Sequence, residues 1–215
     1  PIRTGSKSLG KTMADLDGDG RMEIVALTHD SSSGNLSSSR KLMVINADGS
    51  IPVSWNLQSC NHDLATMELL PAVGNLDEDA ELEIVCITGC NSIGIFDLSQ
   101  PAMVKTNAFI NSGKLLTSPV IGDLDQDGTN EIIILGNGTD DDVQGGIHVF
   151  NILGEELPGF PALVDEHFDS SPALADLDGD GDLEIIAASH RSNLIHAIHH
   201  HGFPLDGWPV GRVRD

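Results

Sequence analysis

Short apolar runs punctuate this chain at a regular spacing. Ile24 to Leu27, Ile84 to Ile87, Ile132 to Leu135 and Ile185 to Ala188 are unbroken by polar positions. Each predicts a strand covered on both faces. A shorter stretch precedes each of them: Gly10 to Ala14, Leu70 to Gly74, Ser118 to Gly122 and Ser171 to Ala175. Its last residue is always small, which predicts an innermost strand where several sheets converge. A third strand follows, at Lys41 to Asn46, Ile93 to Asp97, Ile147 to Asn151 and Leu194 to His199. Three of these end in turns built on Asp48-Gly49, Gly154 or Gly202, which is hairpin chemistry. A fourth, outermost strand lies beyond, with Trp55, Phe160 and Trp208 at matching places expected to pack the sheets. The pattern predicts an all-β chain, a single region over residues 1–215 built as a β-propeller or an array. Its four-stranded antiparallel blades cover approximately residues 5–58, 62–108, 113–163 and 167–213.

One acidic design joins the first strand to the second in every unit. It starts at Asp15, Asn75, Asp123 and Asp176, and the fourth copy reads Asp-Leu-Asp-Gly-Asp-Gly-Asp-Leu-Glu. Carboxylates at positions 1, 3, 5 and 9 of a tight turn converge, and two such charges about 4 Å apart repel by roughly 4 kcal/mol at an effective dielectric of about 20. A cation is required. Hard oxygen ligands without Cys or His select Ca²⁺ over Mg²⁺. The candidate ligands are Asp15, Asp17, Asp19 and Glu23; Asn75, Asp77, Asp79 and Glu83; Asp123, Asp125, Asp127 and Glu131; and Asp176, Asp178, Asp180 and Glu184. Position 7 offers its backbone carbonyl, leaving the residue type free: Arg21, Glu81, Thr129 and Asp182. Position 6 is Gly20, Gly128 and Gly181, as expected for a positive φ. The copy at 75–83 is degraded, with a neutral Asn75 and Ala80 in place of glycine. Leu16, Leu76, Leu124 and Leu177 at position 2 are expected to anchor the loops in the core. An EF-hand would put its last ligand at position 12 on a helix; here position 9 leads directly into a strand.

The pattern Asp-x-Asp-x-Asp-Gly-x-x-Glu, followed at once by an apolar strand and present in four copies, resembles the FG-GAP or VCBS repeats of calcium-binding β-propellers. Those occur in integrin α-subunit head domains and in many secreted bacterial proteins. The resemblance implies membership of a larger propeller of about seven blades, completed by chain outside these residues or by a partner; a closed four-bladed ring is the alternative. It also implies a non-enzymatic binding or adhesion module with a protein or glycan ligand. The alternative function is an accessory or catalytic propeller domain of a secreted carbohydrate-active enzyme of the lyase or dehydratase type. No Gly-x-Ser-x-Gly elbow and no His-Glu-x-x-His occurs.

A meander alternates its connections between two ends, so the acidic loops and the third-to-fourth-strand turns share one end. The other end collects Thr28 to Arg40, Gly136 to Gly146 with Asp140, Asp141 and Asp142, His190 to Asn193, and the crossings near His62 and His167. Variable loops on a rigid scaffold are where recognition sits. With 11 basic and 33 acidic residues and a net charge of -22, nucleic acid is excluded as a partner. An acidic end suits a basic protein or a divalent-bridged ligand. No apolar run reaches the length of a membrane span, and the first residues, Pro-Ile-Arg, show no signal peptide, as expected of a mature form or an excised piece. Weak loop sites need millimolar calcium, which points to an extracellular, cell-surface or periplasmic setting.

Three cysteines are too few for a disulfide framework. Cys86 aligns inside a second strand, as a buried free thiol. Cys60 and Cys90, on connections at one end, are candidates for a single bridge. Asn35 and Asn137 begin glycosylation sequons, meaningful in a eukaryotic source. His148 and His196 occupy equivalent third-strand positions and read as structural. His199, His200 and His201 read as an exposed turn, since alternation along a strand keeps neighbours from sharing one ion.

Overall fold

The computed structural model describes residues 7–29, 40–57, 69–77, 79–89, 92–99, 105–106, 114–115, 117–137, 145–164, 167–168, 170–189 and 193–211. The Cys60 and Cys90 pair, Asn35, His62, and Asp140 to Asp142 lie outside these residues.

The described residues are all-β and build four antiparallel sheets. The first is β1 (Lys7–Ala14), β2 (Glu23–His29), β3 (Arg40–Ile45) and β4 (Val53–Leu57). The second is β5 (Ala72–Gly74), β6 (Glu83–Gly89), β7 (Ser92–Phe96) and β8 (Lys105–Thr106). The third adds a short strand, β9 (Lys114–Leu115), which pairs with β11 ahead of β10 (Val120–Gly122), β11 (Glu131–Asn137), β12 (Gly145–Phe150) and β13 (Ala162–Val164). The fourth is β14 (Ala173–Ala175), β15 (Glu184–Ala188), β16 (Leu194–Ile198) and β17 (Val210–Gly211). Apart from β9, every sheet is a meander in chain order, and none is closed. Among the described residues no helix is long and apolar enough to cross a membrane.

The chain forms two compact units, Pro1–Asn107 and Ala108–Asp215, each carrying two sheets. Their cores repeat one scheme. In the first unit Val25 and Leu27 of β2, with Leu42, Val44 and Trp55, meet Ile84, Cys86 and Phe96 of the second sheet. In the second unit Ile133 and Leu135 of β11, with Ile147 and Val149, meet Phe168, Ile185, Ala187 and Ile198 of the fourth sheet. Period-2 alternation lets a wholly apolar strand serve both faces, so a leading sheet offers one set of positions and the following sheet the other. The expected cover on both faces holds for β11, which is buried throughout. It fails in part for β2 and β15, where Ile24 and Ala188 are exposed.

Small residues stand where the first strands crowd together. A Cβ added to Gly122 would meet Leu174 Cδ1 at 2.5 Å, and one added to Gly10 would meet the Leu69 carbonyl oxygen at 2.1 Å. Trp55 is buried and packs on Phe96 with ring centroids 5.0 Å apart. Phe160 and Trp208 are only partly buried and sit in the turns before β13 and β17 rather than within a strand. Cys86 is a buried free thiol, as expected, and burial pushes it up to about 12.

Side chains patch the sheets where the backbone ladder lapses. Thr117 lies between β9 and β10; its hydroxyl donates to Leu135 O at 3.1 Å and accepts from Leu135 N at 3.2 Å. Asn137 does the same for Phe168, donating from Nδ2 to its carbonyl at 2.8 Å and accepting from its N–H at 2.7 Å. Both residues are buried, so the folded state holds the Asn137 amide in its interior, closed to the glycosylation its sequon would signal. Asn137→Ala would strand two buried backbone groups, each costing about 1–3 kcal/mol. We expect that variant to lose about 3 kcal/mol in a urea melt; a loss below about 0.5 kcal/mol would show that water replaces the amide.

Candidate metal centres

Each acidic loop opens after a first strand and ends on a glutamate that is the first residue of a second strand: Glu23, Glu83, Glu131 and Glu184. That glutamate is buried in all four sheets. One of its oxygens braces the loop from beneath by accepting the N–H of position 2. The distances are 3.0 Å to Leu16, 2.6 Å to Leu76, 2.9 Å to Leu124 and 2.8 Å to Leu177. Position 5 closes the other side, its carboxylate accepting the N–H of position 7: Asp19 from Arg21, Asp79 from Glu81, Asp127 from Thr129 and Asp180 from Asp182. Thr129 also donates its hydroxyl to Asp127, and these bonds hold the Asp127 carboxyl below its usual range.

Glycine supplies the positive φ expected at position 6, with 86° at Gly20, 97° at Gly128 and 110° at Gly181. Position 4 takes it as well, at Gly18, Gln126 and Gly179. Ala80 does not share this backbone, since the described non-glycine residues with positive φ are Gln126 and Asn193. In that loop Asn75 donates from Nδ2 to Asp79 O at 2.5 Å and closes the turn itself.

These backbones bring the carboxylates together. One oxygen from each of Asp15, Asp17 and Asp19 lies within 4.8 Å of the others, and the same holds for Asp123, Asp125 and Asp127, and for Asp176, Asp178 and Asp180. In the second loop the group is Asp77, Asp79 and Glu83. Glu23 and Glu131 lie outside these groups and act as braces, while Glu184 joins Asp178 and His199. Several carboxylate oxygens are both buried and without a hydrogen-bond partner: Asp15 Oδ1, Glu81 Oε2 and Glu83 Oε1. A buried unpaired carboxylate oxygen is costly, and a bound cation removes that cost. The donor sets of the first two loops therefore fit a hard divalent ion, and the converging carboxylates of the other two have the same composition of hard oxygen donors.

The electrostatics record the same stress. Burial, then the neighbouring Asp77, Asp79 and Asp97, raise Glu83 to about 7 against the lowering effect of the Leu76 N–H. Burial, then Asp125, Asp127 and Asp123, raise Glu131 to about 7 against the Leu124 N–H. A carboxyl raised on folding contributes stability that is intact below its unfolded value near 4.5 and is lost as pH climbs through about 7. The metal-free protein should thus melt at a falling temperature between about pH 4.5 and 7, other groups aside. A metal-free melting temperature that rises through this interval would contradict the assignment.

Position 2 departs from expectation in one copy. Leu16, Leu76 and Leu124 are buried, but Leu177 is 43% exposed. Within each unit the second loop covers the first: Leu82 N donates to Leu16 O at 3.0 Å, and Leu183 N to Leu124 O at 2.8 Å. Among the described residues no such bond reaches the Leu177 carbonyl.

The histidines depart from the sequence reading in part: His200 and His201 lie in a turn and His201 is exposed, as expected. Strand β16 ends at Ile198, so the alternation that would separate His199, His200 and His201 stops before them. His199 and His200 are half-buried and turn toward the fourth loop, His199 Nδ1 lying 3.0 Å from Glu184 Oε1 and His200 Nδ1 3.0 Å from Asp182 Oδ2. His148 and His196 are buried as structural residues would be. His148 Nδ1 lies 2.6 Å from Glu156 Oε1, and burial lowers its pKa against the raising effect of that glutamate.

No model of a known protein family matches this chain, and comparison with curated proteins finds no match.

Proposed function

We propose that this protein is a calcium-stabilised, non-enzymatic binding module of the extracellular or periplasmic space, built as part of a β-propeller of the FG-GAP or VCBS kind. The observation that carries the reading is the fourfold recurrence of one cage, with carboxylates converging at the same end of every meander and a buried glutamate beneath. Ligands made only of oxygen on a turn of irregular backbone suit Ca²⁺, which accepts six to eight oxygens in flexible geometry, better than Mg²⁺, which demands a near-ideal octahedron. The position-7 carbonyls of Arg21, Glu81, Thr129 and Asp182 would add to each set. Ions so placed serve structure, and recognition falls to the opposite end of the sheets.

The larger propeller is supported by the face that the fourth sheet leaves open. Leu177, Ile195 and Val210 are all exposed there, where the leading sheets of each unit bury the equivalent face. A further sheet of the same repeat is its natural cover.

Calorimetric titration of the metal-stripped chain tests the cation reading. About four equivalents of calcium should bind, with magnesium far weaker; no binding, or equal affinity for both ions, would refute it. For the partner face, a ligand recovered by affinity capture should lose binding when Asp140, Asp141 and Asp142 are neutralised and keep it when Asp206 is changed. The reverse pattern would move recognition to the outer rim.

A further inference from the structure

The fourth loop differs from the others in what faces its glutamate. The residue directly after the third strand is Asn46, Asp97, Asn151 and His199 in the four sheets. Three of these serve their own turns: Asn46 donates to Ser50 Oγ at 3.1 Å, Asn151 to Glu155 Oε2 at 3.0 Å, and Asp97 accepts from Ser99 N at 2.7 Å. His199 reaches back across the hairpin instead. Its Nδ1 stands 3.0 Å from Oε1 of Glu184, a side chain with 0% exposure whose other oxygen is already held by Leu177 N–H. Asp178 closes the set, one ligand atom from each of Asp178, Glu184 and His199 lying within 4.8 Å of the other two.

We infer that the fourth loop is a site for a borderline divalent metal of the zinc class, held by Asp178, Glu184 and His199 in preference to calcium when both ions are present. The inference rests on the reading of the loops as cation sites and specifies which ion this one takes. Calcium seeks oxygen alone, whereas an imidazole nitrogen beside two carboxylates suits zinc, nickel or cobalt. Ligand atoms about 2.0–2.1 Å from zinc stand roughly 3.3 Å apart at the tetrahedral angle, so the nitrogen and oxygen of His199 and Glu184 need little movement to share one ion. Glu184 is fixed by the backbone of its own loop, and the turn that carries His199 is held by its own backbone, His199 N donating to Phe203 O and Gly202 N to His199 O at 2.9 Å each. An open side remains for water or a further ligand, as Asp178 is exposed.

Zinc titrated into the full chain in a large excess of calcium tests the assignment, with free zinc read by a chromophoric chelator. One equivalent should bind despite the calcium, and His199→Asn should weaken it at least about tenfold. That variant installs the residue of the first and third sheets, so the turn should persist. The double variant His200→Asn with His201→Asn should retain the zinc. Unchanged zinc affinity in His199→Asn would overturn the inference, as would its loss in the double variant, which would mean adventitious binding by exposed histidines. Calcium titration of the same proteins separates the two readings. Calcium filling the other loops while His199→Asn leaves zinc binding untouched would sink this inference alone; a chain that binds neither ion would sink the loop reading beneath it.

Discussion

Excess EDTA is expected to lower the melting temperature of this protein by about 20 °C or more. Each ion bound only to the folded state contributes about 2.7 kcal/mol when its concentration is about a hundredfold above Kd. Each compact unit holds two loops, so it stands to lose about 5 kcal/mol, at about 4 °C or more per kcal/mol for a domain near 100 residues. Stripping also exposes the repulsion within every carboxylate group, where oxygens sit within 4.8 Å of one another. Circular dichroism melts in calcium and in EDTA measure the difference directly. A melt unmoved by chelation would mean that the cages are solvated turns and that the sheets hold by packing alone.

The second large effect changes sign with the metal. Glu83→Gln keeps an oxygen for the Leu76 N–H and deletes a charge that lies buried beside Asp77, Asp79 and Asp97. Without metal at pH 7.5 the wild-type carboxyl is above its value of about 7 and ionised at a cost. The variant should then be more stable, by about 1 kcal/mol once solvent screening of the exposed aspartates is allowed for. In saturating calcium the same change removes a charged ligand and should cost about 2–3 kcal/mol. At pH 5 without metal the gain should vanish, because the wild-type carboxyl is protonated there as well. Glu131→Gln should show the same gain without metal, since Glu131 is raised by burial and by its neighbouring aspartates, but no loss of a ligand in calcium, since it lies outside the carboxylate group of its loop. Equal signs with and without metal would show that Glu83 is a brace and nothing more.

Much of this arrangement was legible because it is repeated. The four apolar runs located β2, β6, β11 and β15, and the loops before them placed the carboxylates, since hairpin geometry is local. What stayed hidden depends on neighbours far along the chain. Nothing in the sequence near Leu177 distinguishes it from Leu16, yet one is exposed and the other covered, because the cover comes from a later loop. Gln126 carries no sign of its positive φ, since glutamine is not a residue that signals the left-handed region. The brace from each glutamate to a leucine N–H seven residues earlier needs the loop already folded. His199 was hidden for another reason: alternation was extended past Ile198, where the strand has ended and the turn frees the ring to face Glu184.

The bond from one loop to the next gives the loops a means of communication. The peptide of Leu16 is clamped at its N–H by Glu23 and reached at its carbonyl by Leu82, the residue beside Glu83; Leu124 stands likewise between Glu131 and Leu183. An ion that orders the second loop of a unit therefore also sets the backbone of the first, so that part of the ordering entropy is already spent when the next ion arrives. Filling should be cooperative in pairs, first loop with second and third with fourth. Leu82→Pro deletes the donating N–H while leaving every carboxylate in place, and should flatten the calcium-binding curve of the first unit. Such pairing would make occupancy a steeper function of calcium concentration than independent sites would give, and would turn a row of structural ions into a threshold on the conditions under which the fold persists.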